Sequence, residues 1–128
     1  MKLLLDTVTF LDAVLDPKCL TPRVRDLLLD PENERYFSIA SSWEIAIKYS
    51  LGKLALPDTP ERFVPEHREA LGADVLALDE ESVLHIVRLP HLHRDPFDRL
   101  LICQAIIHGM MLVTPDPRIA KYPVRTVW

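Results

Sequence analysis

The residues of this chain best suited to chemistry are carboxylates placed where secondary structure changes. Asp6 closes the apolar run Leu3-Leu4-Leu5, and Glu44 follows Ser41-Ser42-Trp43. Asp95 and Asp98 bracket Pro96-Phe97, and Asp116 follows Val113-Thr114-Pro115. Most of these acids have an ordinary explanation. Acids at a helix start are stabilised by free N–H groups and the helix dipole, which covers Asp95 and Asp98. Asp116 sits in a proline-flanked turn, and Glu44 has Lys48 one helical turn away. Asp6 is different, because a charge at the end of a buried strand is costly unless it is paired or bound to metal. Acids gathered at one place repel each other and hold on to protons. A divalent cation removes that penalty, and an all-oxygen donor set selects Mg²⁺ or Mn²⁺ over zinc. Such ions suit phosphoryl chemistry, where they polarise a phosphate and generate hydroxide from bound water.

Whether the acids meet depends on the elements that carry them. The pattern predicts strands at 2–5, 35–39, 75–78, 110–113 and 124–127, separated by helical segments. Thr21-Pro22 opens a helix, and Ser41 or Ser42 is the expected cap of a helix over 43–51 that Gly52 closes. A further helix is expected over 61–71, with Pro65 near its middle, and another after the Asp79 cap. Asp95-Pro96 starts the best-marked helix, and Gly109 is its left-handed terminator. Alternating strands and helices imply an α/β fold with a mainly parallel sheet covered on both faces. Right-handed crossovers then place every strand end, and the start of each helix that follows a strand, at the carboxyl edge of the sheet. Asp6, Glu44, Asp98 and Asp116 all fall at that edge, where open α/β sheets bind ligands.

Composition narrows the class. The 128 residues predict one domain over 1–128, with 48% apolar residues and no run long enough to span a membrane. The opening apolar run meets Asp6 too early for a signal-peptide core. Cys19 and Cys103 are too few for a disulfide framework, so the expected location is cytoplasmic. A net charge of −4 argues against binding nucleic acid by bulk charge alone, but is compatible with a cation-recruiting acidic site. His91-x-His93, with His85 nearby, does not have a zinc-ligand spacing. Thr7, Thr9, Ser41 and Thr114 read as caps and hydrogen-bonding supports, since no activating base pattern accompanies them.

Four segments together resemble the PIN-domain family, and more closely its VapC-type ribonuclease toxins. They are Leu3-Leu4-Leu5-Asp6-Thr7; residues 38–48 (Ser-Ile-Ala-Ser-Ser-Trp-Glu-Ile-Ala-Ile-Lys) with Leu51-Gly52-Lys53-Leu54; residues 93–102; and Leu112-Val113-Thr114-Pro115-Asp116. The resemblance implies a three-layer α/β/α fold with a parallel five-stranded sheet in the order 3-2-1-4-5. It implies a Mg²⁺- or Mn²⁺-dependent endoribonuclease, the toxin of a type II toxin–antitoxin pair, covered by a small antitoxin and usually homodimeric. The family's four acids fall on Asp6, Glu44, Asp98 and Asp116. On this reading Asp6 and Asp98 hold metal, while Glu44 and Asp116 orient ligated water for attack on an RNA phosphodiester. Asp95 is an additional acid near the site, Thr114 matches the hydroxyl residue two before the fourth acid, and Thr7 is auxiliary. Val8 and Pro115 depart from residues common in close relatives, which bears on substrate positioning and leaves the acids intact.

Two other functions fit parts of the pattern. A phosphatase or phosphoacceptor domain would use Asp6 as nucleophile, but lacks the second acid two residues on, where Val8 stands. A non-catalytic PIN-like module binding RNA or protein would be favoured by loss of an acid, and all four are present.

Overall fold

A computed structural model describes residues 1–128. Its strands are β1 (Lys2–Leu5), β2 (Glu34–Ser38), β3 (Ala73–Leu76), β4 (Met111–Val113) and β5 (Thr126–Val127). They form one sheet in the order β3-β2-β1-β4-β5, with every neighbouring pair parallel. The helices are α1 (Thr7–Leu15), α2 (Pro22–Leu29), α3 (Ile39–Ser50), α4 (Pro60–Ala70), α5 (Glu80–Leu84) and α6 (Pro96–His108). The expected fold class and strand order are therefore both present.

The central strand shows why the sheet is covered on both sides. Leu3, Leu4 and Leu5 are all fully buried, as a parallel strand between two helical layers requires. Their side chains alternate across the sheet. Leu4 joins Leu101, Ile102 and Leu112 in the core under α6. Leu3 and Leu5 join Val24 and Val113 under α2. A further cluster packs Phe10 of α1 and Phe37 of β2 against Ile45 and Phe63, with the Phe10 and Phe37 rings 4.3 Å apart.

Register levels the strand ends that matter for the site. Leu5 pairs with Phe37 on one side and Val113 on the other. The residues that follow these three are Asp6, Ser38 and Thr114, which therefore lie at one height, Ser38 still paired with Leu76 of β3. The Asp6 N–H donates to Val113 O at 3.1 Å, holding Asp6 in place.

Several boundaries differ from expectation for identifiable reasons. Helix α3 begins at Ile39, because Ser38 at the end of β2 is itself the cap and accepts from Ala40 N at 3.0 Å. Strand and helix thus join with no loop. Trp43 is 52% exposed, whereas Ile45 is in the core. Strand β3 spans 73–76 and not 75–78, its register being set by pairing with β2. Strand β5 is only two residues long, and 3-10 turns occupy Pro17–Cys19, His85–Arg88 and Ile119–Lys121. Pro65 is accommodated inside α4. No helix is long and apolar enough to cross a membrane.

Candidate metal and active site

Each acid is delivered by a junction between elements. Asp6 ends β1 and caps α1, its carboxylate accepting from Thr9 N at 2.7 Å. It is buried, and no basic side chain pairs with it. Burial pushes its carboxyl above the ordinary aspartate value, with Glu44 adding to the rise. Hydrogen bonds from Thr114 and Thr9 oppose that shift. Thr114 also accepts from Asp116 N at 3.1 Å, so one hydroxyl links the first and last of the candidate acids.

Glu44 comes from the second turn of α3 and is 4% exposed, which removes the reading of it as a solvated surface residue. Its Oε1 accepts from Thr7 Oγ1 at 2.6 Å, and its Oε2 from Lys48 Nζ at 2.5 Å. Thr7 Oγ1 also lies 2.9 Å from Ser41 Oγ. The expected i,i+4 pair with Lys48 is present, and it half-covers a buried acid.

Asp95 and Asp98 divide their work as the sequence suggests. Asp95 caps α6 by accepting from Phe97 N at 2.9 Å and Asp98 N at 3.3 Å. Asp98, freed from capping, faces the other acids. Its carboxyl is pushed up to about 6, first by burial and then by Asp95, Glu44 and Asp6, against a hydrogen bond from His93. Asp116 is the exception among the acids. The guanidinium of Arg118, 2.9 Å away, holds its carboxyl below the usual range.

Glu44 thus acts on Asp6, and Asp95, Glu44 and Asp6 act on Asp98, while Asp116 adjoins Asp6 through Thr114. One ligand atom from each of Asp98, Asp116 and His93 lies within 4.8 Å of the others, a spacing that suits a metal ion. His93 is the residue that sequence reasoning misses. Its Nε2 lies 2.8 Å from Asp98 Oδ2, and its backbone oxygen is 3.5 Å from Tyr122 Oη. Sought as half of a zinc pair with His91, it signals nothing. The useful signal is a histidine just ahead of an acid-capped helix start, within reach of that helix's first turn.

The ligand atoms that meet are therefore those of two carboxylates and one imidazole, and Asp6 and Glu44 are not part of that group. Asp6 and Asp98 carry raised proton affinity and no Lys or Arg partner, and a divalent cation relieves that crowding of like charge. The residues fit a divalent metal.

Comparison with known proteins places this geometry. The PIN domain model matches residues 3–124. Ribonuclease VapC16 of Mycobacterium tuberculosis is 38% identical over 61 residues, which are 48% of this chain and 43% of that protein. The match therefore spans less than half the length of that curated relative. VapBC2 from Rickettsia felis, solved with a DNA fragment from the promoter, superposes with a TM-score of 0.74 at 16% identity, covering 100% of this chain and 99% of the other. FitAcB from Neisseria gonorrhoeae gives a TM-score of 0.66 at 20% identity, covering 98% and 96%. At those identities the solved structures attest the fold, and the match over nearly the whole length attests the family. With its parallel sheet and acids gathered at the carboxyl edge, this chain belongs to the PIN domain family.

Proposed function

We propose that the chain is a divalent-metal-dependent endoribonuclease, the toxin of a type II toxin–antitoxin pair, working in the cytoplasm. The observation that carries this reading is the pair Asp6, buried, and Asp98, part-buried, at the carboxyl edge of the sheet, both with raised proton affinity and no Lys or Arg partner. The ribonuclease name of the curated relative and the toxin–antitoxin complexes among the fold neighbours support the same reading. The proposed partners are an RNA substrate, a small antitoxin and a second copy of the toxin.

Asp6 and Asp98 would hold the metal, Mg²⁺ or Mn²⁺, with Asp116 and Glu44 completing the site. When bound, the ion supplies charge neutralisation at the phosphate and a ligated water of lowered pKa. The chain's own residues do the positioning. Thr7 and Lys48 fix both oxygens of Glu44, so its carboxylate is aimed before substrate arrives. Arg118 and the Thr114 turn fix Asp116 likewise. His93 restrains the rotation of Asp98, and Asp95 holds the first turn of α6 that carries it.

The test is cleavage of RNA with Mn²⁺ or Mg²⁺, compared with EDTA and with Asp6→Asn and Asp98→Asn. Chelation should abolish cleavage, and each substitution should lower it by more than about a hundredfold, since losing a ligand exceeds the cost of losing a ligand's support. Activity that survives chelation, or is untouched in both variants, overturns the metal-nuclease reading. Persistent RNA binding without cleavage would instead mark a non-catalytic module.

A further inference from the structure

Beside the acids lies a cleft of opposite character. It has a volume of about 480 Å³ and is lined by His91, Leu92, His93, Arg94 and Arg99, with no carboxylate among them. His91, Leu92 and Arg94 are exposed there, whereas His93 and Arg99 are part-buried. In a chain of net charge −4, so concentrated a basic lining stands against the overall sign.

Arg99 is poorly satisfied by its own protein. Its Nη2 reaches Ile86 O at 3.4 Å and its Nη1 reaches His91 Nδ1 at 3.5 Å, both at the long limit of a hydrogen bond. Its Nε is buried with no partner at all. A guanidinium presents five donors in a planar fork that matches two oxygens of an oxyanion, and leaving a buried donor unmade is costly. Arg99, which lines the cleft, is therefore held by its own protein through long hydrogen bonds only.

The cleft touches the candidate active site through one side chain. His93 lines the cleft and also bonds Asp98. A strand whose reacting phosphate lies at the acids would bring a neighbouring phosphate over His93 towards Arg99 and Arg94. From this we infer that the cleft is a phosphate subsite, holding the backbone phosphate of an RNA strand next to the one being cut. The inference rests on the nuclease reading and adds to it where the strand runs. It also explains how an acidic protein can grip a polyanion, with repulsion at the acids relieved by metal and attraction supplied locally at the start of α6.

The experiment is steady-state cleavage of short oligoribonucleotides in Mn²⁺, each carrying one uncharged methylphosphonate near the cut site. The variants are Arg94→Ala, whose parent side chain is exposed, and Arg99→Lys, which keeps the charge and the aliphatic stem but loses the fork. For the native protein, one methylphosphonate position should raise KM about tenfold, the effect expected when one well-held phosphate is neutralised. Each variant should raise KM on the all-phosphate substrate, with kcat kept within about twofold, and the double variant should be indifferent to the methylphosphonate. The salt dependence of log KM should fall by about 0.7 for each phosphate the protein no longer holds. Native KM and native methylphosphonate sensitivity in the variants would overturn the subsite. So would loss of kcat at unchanged KM, which would make Arg99 only a support for His93. Unchanged RNA kinetics with weakened binding of poly-glutamate would assign the cleft to an acidic protein segment. If the native protein cuts no RNA, the nuclease reading falls alone: anisotropy of labelled RNA then decides the cleft, kept if Arg94→Ala weakens binding and lost if it does not.

Discussion

Two histidine–aspartate pairs lie near opposite ends of α6, and they behave as opposites. His93 and Asp98 meet at 2.8 Å near its start, and His108 and Asp79 meet at 2.7 Å near its end. Residue types and distances are nearly the same. Yet Asp98 is pushed up to about 6, whereas Asp79 is held down at about 2. Surroundings make the difference. The side chains of the first pair are 7% and 16% exposed, and those of the second 33% and 34%. Asp98 also faces Asp95, Glu44 and Asp6, whereas Asp79 receives the Ser82 N–H and hydroxyl. A hydrogen bond of the same length is thus the largest influence on Asp79, which it lowers, but is outweighed at Asp98 by burial and like charges.

The largest separation between the pairs should come from replacing each histidine. His93→Gln removes the support of a proposed ligand and should weaken Mn²⁺ affinity about 10–100-fold, as losing such a support commonly does. His108→Gln should change it less than twofold. Calorimetric titration of Mn²⁺ into the two variants measures both. Equal affinities would mean that His93 does not serve the acid site.

A second, smaller contrast is in stability. In EDTA at pH 7.5 the folded state holds Asp98 ionised against burial and three like charges. Because its folded pKa is raised, this cost is absent below the ordinary aspartate value, grows as pH rises towards about 6, and is constant above. Asp98→Asn should therefore stabilise the metal-free protein by about 1–3 kcal/mol at pH 7.5 and by nothing at pH 3.5. Denaturant titrations at the two pH values read the difference. A destabilised variant at pH 7.5 would show that the His93 bond outweighs the crowding. Gaining stability while losing activity is the usual mark of an acid kept for function.

These contrasts also show what can be read from the sequence. The course of the chain is legible wherever local chemistry decides it. Thr21-Pro22, Asp95-Pro96 and Gly109, whose φ is 64°, each act where their residue types require. The apolar Leu3-Leu4-Leu5 announces a strand buried on both faces, and crossover handedness then carries four acids to one edge. Boundaries slip where tertiary pairing competes with local preference. Ser38 escapes notice as a cap because it is also the last residue of β2. Strand β3 follows the register of its neighbour and not its own apolar pattern. The site is legible in its carboxylates, whose position follows from topology. Its cations are only partly so: Lys48 lies one turn from Glu44 and is expected, whereas His93 and Arg118 reach their acids through loop geometry that no periodicity encodes. Arg99 is hidden for a further reason, since an unmade hydrogen bond leaves no mark in a sequence.

The smallest expected effect belongs to the outer pair. Asp79 caps α5 through Ser82 and bonds His108 on α6, tying those two helices together over the outer face of the core. Its folded pKa of about 2 lies below the ordinary value, so its ionised form stabilises the fold. That contribution is fully present above about pH 4 and is lost as pH falls through about 2. Asp79→Asn retains a capping oxygen and removes the charge, so it should cost less than about 1 kcal/mol at pH 7, the pair being open to solvent screening. Denaturant titrations at lower pH should show the cost shrinking away as pH falls through about 2, in the opposite sense to Asp98→Asn. RNA cleavage should be unchanged, because Asp79 lies outside the acid cluster. If Asp79→Asn instead stabilised the protein at pH 7, the two pairs would be alike after all, and exposure could not be what separates them.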